Sequence, residues 1–279
     1  MASQLIDRTL YNGKYHMIHN PDAKGSAPRY KIVDDDGKIL NKPKGVTTLL
    51  GSTLAKDLGG WQLDCMEEYL KEKLPVVTLE DLAEAKKESG RRRDSGAGTG
   101  TEAHALVERF LKQMEHDSYP VSQTASKEAQ AAYGAFIGWF SSANPDVINV
   151  EEVVYSEEYD FAGTYDCMLR VDGKVYLCDL KTTNPSRKAP NGVYAEMFLQ
   201  LGAYAAAHEE QRAYEEKHGG TTLLPIEGLM VISAKKNGKL DIVTNDDVQL
   251  TLVDCSDMFK RVVNLFNFIN FTTKQLGGK

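Results

Sequence analysis

Two aspartates and a lysine, Asp166, Asp179 and Lys181, stand in two apolar runs that are separated by a single turn. Asp172-Gly173 supplies that turn, because this dipeptide favours the positive φ angles of a two-residue type I′ hairpin. Counting outward from the turn places Asp166 directly opposite Asp179, with Cβ atoms roughly 4.5–5.5 Å apart. Side chains alternate along a strand, so Lys181 lies on the same face as Asp179. The sequence therefore predicts two carboxylates and an ammonium group on one face of a β-hairpin.

Apolar residues surround these charges, which indicates an interior position for the hairpin. One face is predicted to carry Tyr165, Cys167, Leu169, Val171, Tyr176, Cys178 and Leu180, and the other carries Met168, Val175, Leu177 and the charges. Like charges directly opposite each other destabilise a sheet by up to about 1 kcal/mol. A divalent cation with oxygen ligands, Mg²⁺ or Mn²⁺, would relieve this repulsion, because no thiolate or imidazole cluster in the segment favours zinc. The alternative is a surface hairpin with solvated ion pairs.

The elements around the hairpin are predicted to be a mixture of helices and strands. Helices are predicted at about 61–73, 79–88, 101–116, 126–142, 194–217 and 253–273, and strands at 150–155, 163–171, 174–181, 227–233 and 239–243. Short runs of aromatic and β-branched residues before residue 45 predict further strands. The pattern predicts an α/β protein in which residues 96–279 form the core and residues 1–95 form an N-terminal β-rich and helical lobe.

Upstream of the hairpin, the helix at 101–116 offers one side chain to the charged face. His104 and Glu108 lie one helical turn apart, whereas Glu102 points about 200° away from His104. His104 is therefore the predicted metal-side residue, and the alternative is a surface histidine paired with a glutamate. Ahead of this helix, Gly90 to Gly100 contains four glycines and three arginines, which predicts a flexible loop.

Composition is that of a soluble globular protein, with 42% hydrophobic and 26% charged residues and no apolar run near the ~18 residues of a membrane span. The N-terminal residues lack the features of a secretory signal or a mitochondrial transit peptide. Four scattered cysteines indicate reduced, buried thiols, so a cytoplasmic protein is expected. The net charge of −7 argues against a protein that coats nucleic acid, since such binding is mostly phosphate neutralisation.

Four short motifs together resemble one family. Gly163-Thr164-Tyr165-Asp166, followed by Asp179-Leu180-Lys181-Thr182, looks like the active-site motif of the PD-(D/E)XK nuclease superfamily, in the branch of the RecB-type nuclease domain and the mitochondrial genome maintenance exonuclease. Gly100-Thr101-Glu102-Ala103-His104 resembles that branch's G-x-x-x-H helix start, and Gln200-Leu201-Gly202-Ala203-Tyr204 resembles its QxxxY helix. The leading proline of the family name is absent, and the cysteines are too scattered to match the iron–sulfur relatives of the branch.

This resemblance implies a restriction-endonuclease-like core of order αβββαβ and a metal-dependent DNA exonuclease activity. Asp166 and Asp179 would hold Mg²⁺ or Mn²⁺, with the Leu180 carbonyl and His104 as further ligands, and Lys181 would orient the attacking water. The DNA-binding residues implied are Gln200, Tyr204, Thr182 and, in the predicted loop, Arg91, Arg92 and Arg93. The expected substrate is DNA with a free end, single- or double-stranded.

The resemblance to phage-type and RecB-like exonucleases also implies a setting. Such enzymes act in DNA recombination, repair or degradation, which for a phage-encoded chain means the bacterial host cytoplasm. A recombination protein or a single-strand-binding protein is an expected partner, and no membrane is expected.

Two other functions stay open from the sequence. A structure-specific endonuclease would use the same centre. A non-catalytic nucleic-acid-binding protein would keep the fold without the chemistry, but the presence of Asp166, Asp179 and Lys181 together argues against it.

Overall fold

The computed structural model describes residues 5–23, 27–54, 59–115, 125–183 and 189–277. Its strands are β1 (Ile6–Leu10), β2 (Tyr15–His19), β3 (Tyr30–Val33), β4 (Ile39–Asn41), β5 (Lys44–Gly45), β6 (Asp146–Ser156), β7 (Phe161–Val171), β8 (Lys174–Lys181), β9 (Gly228–Ala234) and β10 (Leu240–Thr244). Its helices are α1 (Val46–Thr53), α2 (Gly59–Lys71), α3 (Leu79–Glu115), α4 (Lys127–Ala143), α5 (Ala195–Lys217) and α6 (Leu252–Gln275). The predicted order of helix, three strands, helix and strand is observed from α4 to β9. None of the helices within these ranges combines the length and apolar character that a membrane crossing requires.

A mixed six-stranded sheet forms the centre of the molecule, in the order β10-β9-β8-β7-β5, and β6 also pairs with β7. The hairpin of β7 and β8 turns through Asp172 at φ 50° and Gly173 at φ 82°, the two positive angles that a type I′ turn requires. Pairing runs from Val171 and Lys174 to Cys167 and Cys178 in the predicted register. The turn and the register are therefore confirmed over this part of the hairpin.

Beyond Cys167 and Cys178 the two hairpin strands part. β7 continues along β6 as far as Phe161, while β8 leaves it and continues in parallel with β9 as far as Lys181. The short strand β5 pairs with the first two residues of β7. Asp166 and Asp179 therefore lie where the hairpin opens. The prediction that they form a ladder pair directly opposite each other is wrong.

Helices cover both faces of the sheet and bury two apolar clusters. On one face α3 and α4 pack over Cys167, Leu169 and Ile232. On the other face α1, α5 and α6 pack over Met168 and Leu177. Tyr165 was predicted on the same face as Cys167, but it packs in the cluster that contains Met168 and Leu177. The reason is that the regular alternation of β7 is broken at Asp166.

The N-terminal residues form a four-stranded sheet, β1-β2-β3-β4, as the predicted β-rich lobe requires. It rests on β6, where the hydroxyl of Tyr11 donates to the Tyr155 carbonyl at 2.8 Å. The predicted boundary between residues 95 and 96 falls inside α3, and α1 contributes Val46 and Leu49 to the main core. The division into a lobe and a core thus stays a prediction.

One segment differs clearly from its prediction. Gly90 to Gly100 is helical and lies within α3, so the expected flexible loop is wrong. Two of the glycines abut other groups: a Cβ at Gly100 would lie 3.0 Å from the Thr182 hydroxyl, and one at Gly96 would lie 3.8 Å from the Lys236 ammonium. Small residues therefore let α3 pass close to the ends of the central strands, and this packing outweighs the cost of about 1 kcal/mol per glycine in a helix.

Close packing of α5 on α6 generates a first prediction. A Cβ at Gly202 would lie 2.5 Å from the backbone carbon of Cys255, so Gly202→Ala must push the helices apart and should cost about 1–3 kcal/mol of unfolding free energy. Gly134→Ala is the matched control, because that exposed helical glycine has nothing within 4 Å and should gain up to about 1 kcal/mol. Urea unfolding measures both values, and a neutral Gly202→Ala would contradict the packing described.

Candidate active site

Where β7 and β8 part, the carboxylate of Asp166 spans the opening between them. Its Oδ2 accepts a hydrogen bond of 2.6 Å from the backbone N–H of Leu180. The side chain thereby replaces the ladder bond that the diverging backbones no longer make. Since the N–H and C=O of one strand residue point to the same side, the Leu180 carbonyl also faces this opening.

Across the opening, Asp179 and Lys181 form a buried ion pair. The Lys181 ammonium donates to Oδ1 of Asp179 at 2.7 Å and lies 2.6 Å from Oδ2, to which no hydrogen bond is directed. The Asp179 side chain is only 2% exposed and that of Lys181 is 24% exposed. Burial raises the pKa of Asp179 to about 6, against the opposing pull of Lys181. Burial acts to lower the pKa of Lys181, but Asp179 and Asp166 outweigh it and raise that pKa, so the lysine keeps its proton.

From α3, His104 reaches the same place. Its Nδ1 lies 3.6 Å from Oδ2 of Asp166. Glu102 points elsewhere and accepts hydrogen bonds from the N–H and hydroxyl of Ser126 at the start of α4. Glu108 lies one turn after His104 and pairs with Lys112 at 2.7 Å. The structure thus brings His104 to the aspartates, and gives Glu102 the separate position that its helical angle predicts.

On the opposite face of the sheet, α5 places Gln200 and Tyr204 near the aspartates. The Gln200 amide donates to the Tyr204 hydroxyl at 2.9 Å. Tyr204 is buried, which raises its pKa well above the ordinary value, and the Tyr30 and Asp179 charges add to the rise. No hydrogen bond joins either side chain to Lys181 within the described residues. Thr182 follows Lys181 and faces Gly100 of α3.

The three arginines lie on α3 and are engaged by acidic neighbours. Arg91 pairs with Glu84, and Arg92 pairs with Glu68 of α2 and, at 2.8 Å, with Glu88. Arg93 pairs with the neighbouring Asp94, and its side chain is 72% exposed. These arginines therefore lie on a helix and not in the flexible loop that the sequence predicts.

One residue of this site, Glu151 on β6, was missed from the sequence. It faces Asp166 between the ladder pairs Val150–Cys167 and Glu152–Tyr165, and it adopts a φ of 55° in the middle of a strand. A left-handed conformation costs a residue with a Cβ about 1–2 kcal/mol. Burial raises the pKa of Glu151 to about 8, with the Asp166 and Glu108 charges adding to the rise. The only sequence signal was the acidic pair Glu151-Glu152 between Val150 and Val153.

The oxygen atoms around the opening fit a hard divalent cation. The carboxylates of Asp166 and Asp179 and the carbonyl of Leu180 are the ligand types that Mg²⁺ and Mn²⁺ prefer. The Oδ2 of Asp179 is buried and accepts no hydrogen bond, and the Lys181 ammonium lies 2.6 Å from it. No group of three or more His, Cys, Asp or Glu side chains in the described ranges is arranged to enclose an ion. The fit therefore rests on the two carboxylates and the carbonyl.

A mixed sheet between helices, with two aspartates and a lysine at its opened hairpin, is the arrangement of an α/β nuclease core. Residues 52–266, well over half of the chain, match the family model of the PD-(D/E)XK nuclease superfamily. The chain belongs to that superfamily, whose members generally use divalent metals. No curated protein matches it. The predicted superfamily and its α/β core are thus confirmed.

The raised pKa of Glu151 predicts a pH dependence of stability. The folded protein keeps this proton up to about pH 8, whereas the unfolded chain releases it near the ordinary value of 4.5. The unfolded state thus binds fewer protons in this range, and the free energy of unfolding should fall as pH rises from about 4.5 to about 8.

Glu151→Gln should remove the part of this fall in unfolding free energy that Glu151 causes, because glutamine cannot ionise. Urea unfolding in EDTA at several pH values measures the slope. The matched control is Glu152→Gln, whose wild-type carboxylate pairs with Arg8 at the surface and which should keep the slope of wild type. Equal slopes for wild type and Glu151→Gln above about pH 6 would contradict the burial of an ionisable Glu151.

Proposed function

We propose that this chain is a Mg²⁺- or Mn²⁺-dependent deoxyribonuclease that digests DNA from a free end, similar to the RecB-like and mitochondrial branch of its superfamily. The observation that carries the proposal is the joint position of Asp166, Asp179 and Lys181 at the opened hairpin. Two features of that branch support it: His104 on the helix after Gly100 lies beside Asp166, and Gln200 bonds Tyr204 on α5.

The proposed chemistry is hydrolysis of a phosphodiester bond. Asp166, Asp179 and the Leu180 carbonyl would hold the metal, with His104 at its edge. When bound, the metal would polarise the scissile phosphate and lower the pKa of a bound water. Lys181 keeps its proton beside Asp179, so it orients the attacking water and offsets the charge that develops on the phosphate.

The residues proposed to contact DNA lie on both sides of this centre. Thr182 is next to Lys181 on the strand, and Gln200 approaches from α5. Tyr204 is buried, so it would act on DNA only by holding the Gln200 amide, which donates to its hydroxyl. Of the three arginines on α3, Arg93 is the best placed for a phosphate, because Arg91 and Arg92 each already pair with glutamates. Arg91 and Arg92 would contact DNA only by exchanging those partners.

The setting proposed is DNA recombination, repair or degradation in the cytoplasm, including that of a bacterial host if the chain is phage-encoded. All four cysteines are buried and free, which suits a reducing compartment. A recombination or single-strand-binding protein stays the proposed partner.

Removal of the lysine tests the role assigned to it. Lys181→Ala should lower the single-turnover rate of DNA cleavage by about 100-fold or more, because it removes a charge that acts in the transition state. Binding of Mn²⁺ and DNA should change little, as calorimetry and filter binding can show. Lys174→Ala is the control: that lysine lies at the other end of the same strand and pairs with Asp246 at 2.7 Å. Cleavage by Lys181→Ala within about threefold of wild type would refute the assigned role.

Substrates with and without ends test the exonuclease assignment. Wild-type protein with Mg²⁺ should release nucleotides from end-labelled linear DNA, single- or double-stranded, and should leave closed circular DNA of the same sequence intact. EDTA should stop the reaction. Cleavage of the circle would identify an endonuclease on the same centre. DNA binding without any cleavage in either metal would identify the non-catalytic protein.

A further inference from the structure

Glu151 lies on the α3 side of the proposed active site and belongs to none of the four motifs. It lines a narrow cavity of about 10 Å³ together with His104, Glu108 and Asp166, and the rest of the lining is mainly apolar: Val107, Leu111, Phe136, Cys167, Leu180 and Ile232. Such a space accommodates about one water molecule or one ion. Glu151 therefore brings a third carboxylate, after those of Asp166 and Asp179, to the side of Asp166 that faces α3.

The charges around this cavity are not balanced by the protein itself. Within the described residues, the carboxylate of Glu151 takes part in no hydrogen bond or ion pair. Lys112 is the cation that most opposes its rise in pKa, yet the Lys112 ammonium is held by Glu108. Asp166 has the Lys181 ammonium and His104 nearby, so Glu151 is the carboxylate of this cavity that no cation contacts directly within the described residues.

Backbone strain places the glutamate in this position. The φ of 55° turns one residue of β6 out of the regular alternation where it faces Asp166. Glycine adopts such angles without strain, so a glutamate here keeps a cost that its side chain does not offset in the metal-free protein. Strain of this kind persists where a side chain must be held in one particular place.

We propose that Glu151 is a further cation-binding carboxylate of the centre, which shares a divalent metal ion with Asp166 across the β6–β7 ladder. The inference rests on the proposed metal-dependent nuclease function and adds a residue to it. A divalent ion in the cavity would bring the charge that the three carboxylates lack, and carboxylate oxygens are its preferred ligands.

Metal binding by the intact chain tests this proposal without any DNA. Calorimetric titration with Mn²⁺ and thermal melts in EDTA and in Mn²⁺ are compared for wild type, Glu151→Gln and Glu152→Gln. We expect Glu151→Gln to weaken Mn²⁺ binding by about tenfold or more and to lose most of the Mn²⁺-induced rise in melting temperature. Glu152→Gln should behave as wild type, because its carboxylate pairs with Arg8 on the surface.

A second variant separates metal binding from folding. Glu151→Gly removes both the carboxylate and the left-handed strain, so in EDTA it should melt at or above the wild-type temperature and yet respond weakly to Mn²⁺. A variant that melts well below wild type in EDTA and binds Mn²⁺ as tightly would show that Glu151 is structural, and would overturn the proposal.

Asp179→Asn distinguishes this inference from the function on which it rests. If Asp179→Asn loses Mn²⁺ binding and Glu151→Gln keeps it, the metal-dependent function stands and the role of Glu151 is wrong. If wild type itself binds no Mn²⁺, both fail together.

Discussion

The hydrogen bond from the Leu180 N–H to the Asp166 carboxylate is the interaction on which the rest of the site depends. Two strands that part inside a sheet leave backbone groups without partners, and a buried unpaired N–H costs about 1–3 kcal/mol. The carboxylate supplies the missing acceptor and keeps the opening at a fixed width. The same opening turns the Leu180 carbonyl toward Asp166 and places Asp179 near His104. The Asp166 side chain thus stabilises the opened sheet and also belongs to the proposed active site.

The buried pair of Asp179 and Lys181 is costly for a protein that needs only to fold. A buried ion pair contributes little net stability against an apolar replacement, whereas removing one partner costs about 3–5 kcal/mol. The Asp179 side chain is 2% exposed, with one oxygen that receives no hydrogen bond. Sheet packing alone would favour two apolar residues at these positions. The proposed nuclease function would account for these charges, with Asp179 as a metal ligand and Lys181 as an ammonium that stays charged beside it.

Much of the hairpin and of the site could be predicted from local sequence patterns. The predictions were wrong where contacts between distant parts of the chain decide the structure. Asp172-Gly173 determined the turn, and with it the register down to Cys167 and Cys178, because positive φ angles admit few residues. Helical periodicity separated His104 from Glu102. The opening itself is not local, since each strand keeps its outer neighbour, β6 or β9, where the hairpin pairing ends. Neither the broken alternation at Tyr165 nor the strain at Glu151 has a sequence signature. The prediction of a loop from Gly90 to Gly100 was wrong for a related reason. The segment is helical despite its low helix propensity, and at Gly100 it packs against Thr182.

The N-terminal segment, through β5 and the four-stranded sheet, supports the part of β7 that β8 leaves. β5 pairs with the start of β7, and the Tyr30 hydroxyl lies 3.2 Å from the hydroxyl of Thr164, two residues before Asp166. His19 stacks on the Tyr30 ring, and burial lowers the pKa of that histidine to about 4, so it stays neutral. A neutral contact at this place holds β7 without adding charge next to the aspartates. The opened hairpin is thus fixed from three directions, by β6 along its length, by Leu180 across the gap and by the N-terminal strands at its free edge, so the carboxylates stay in place despite their mutual repulsion.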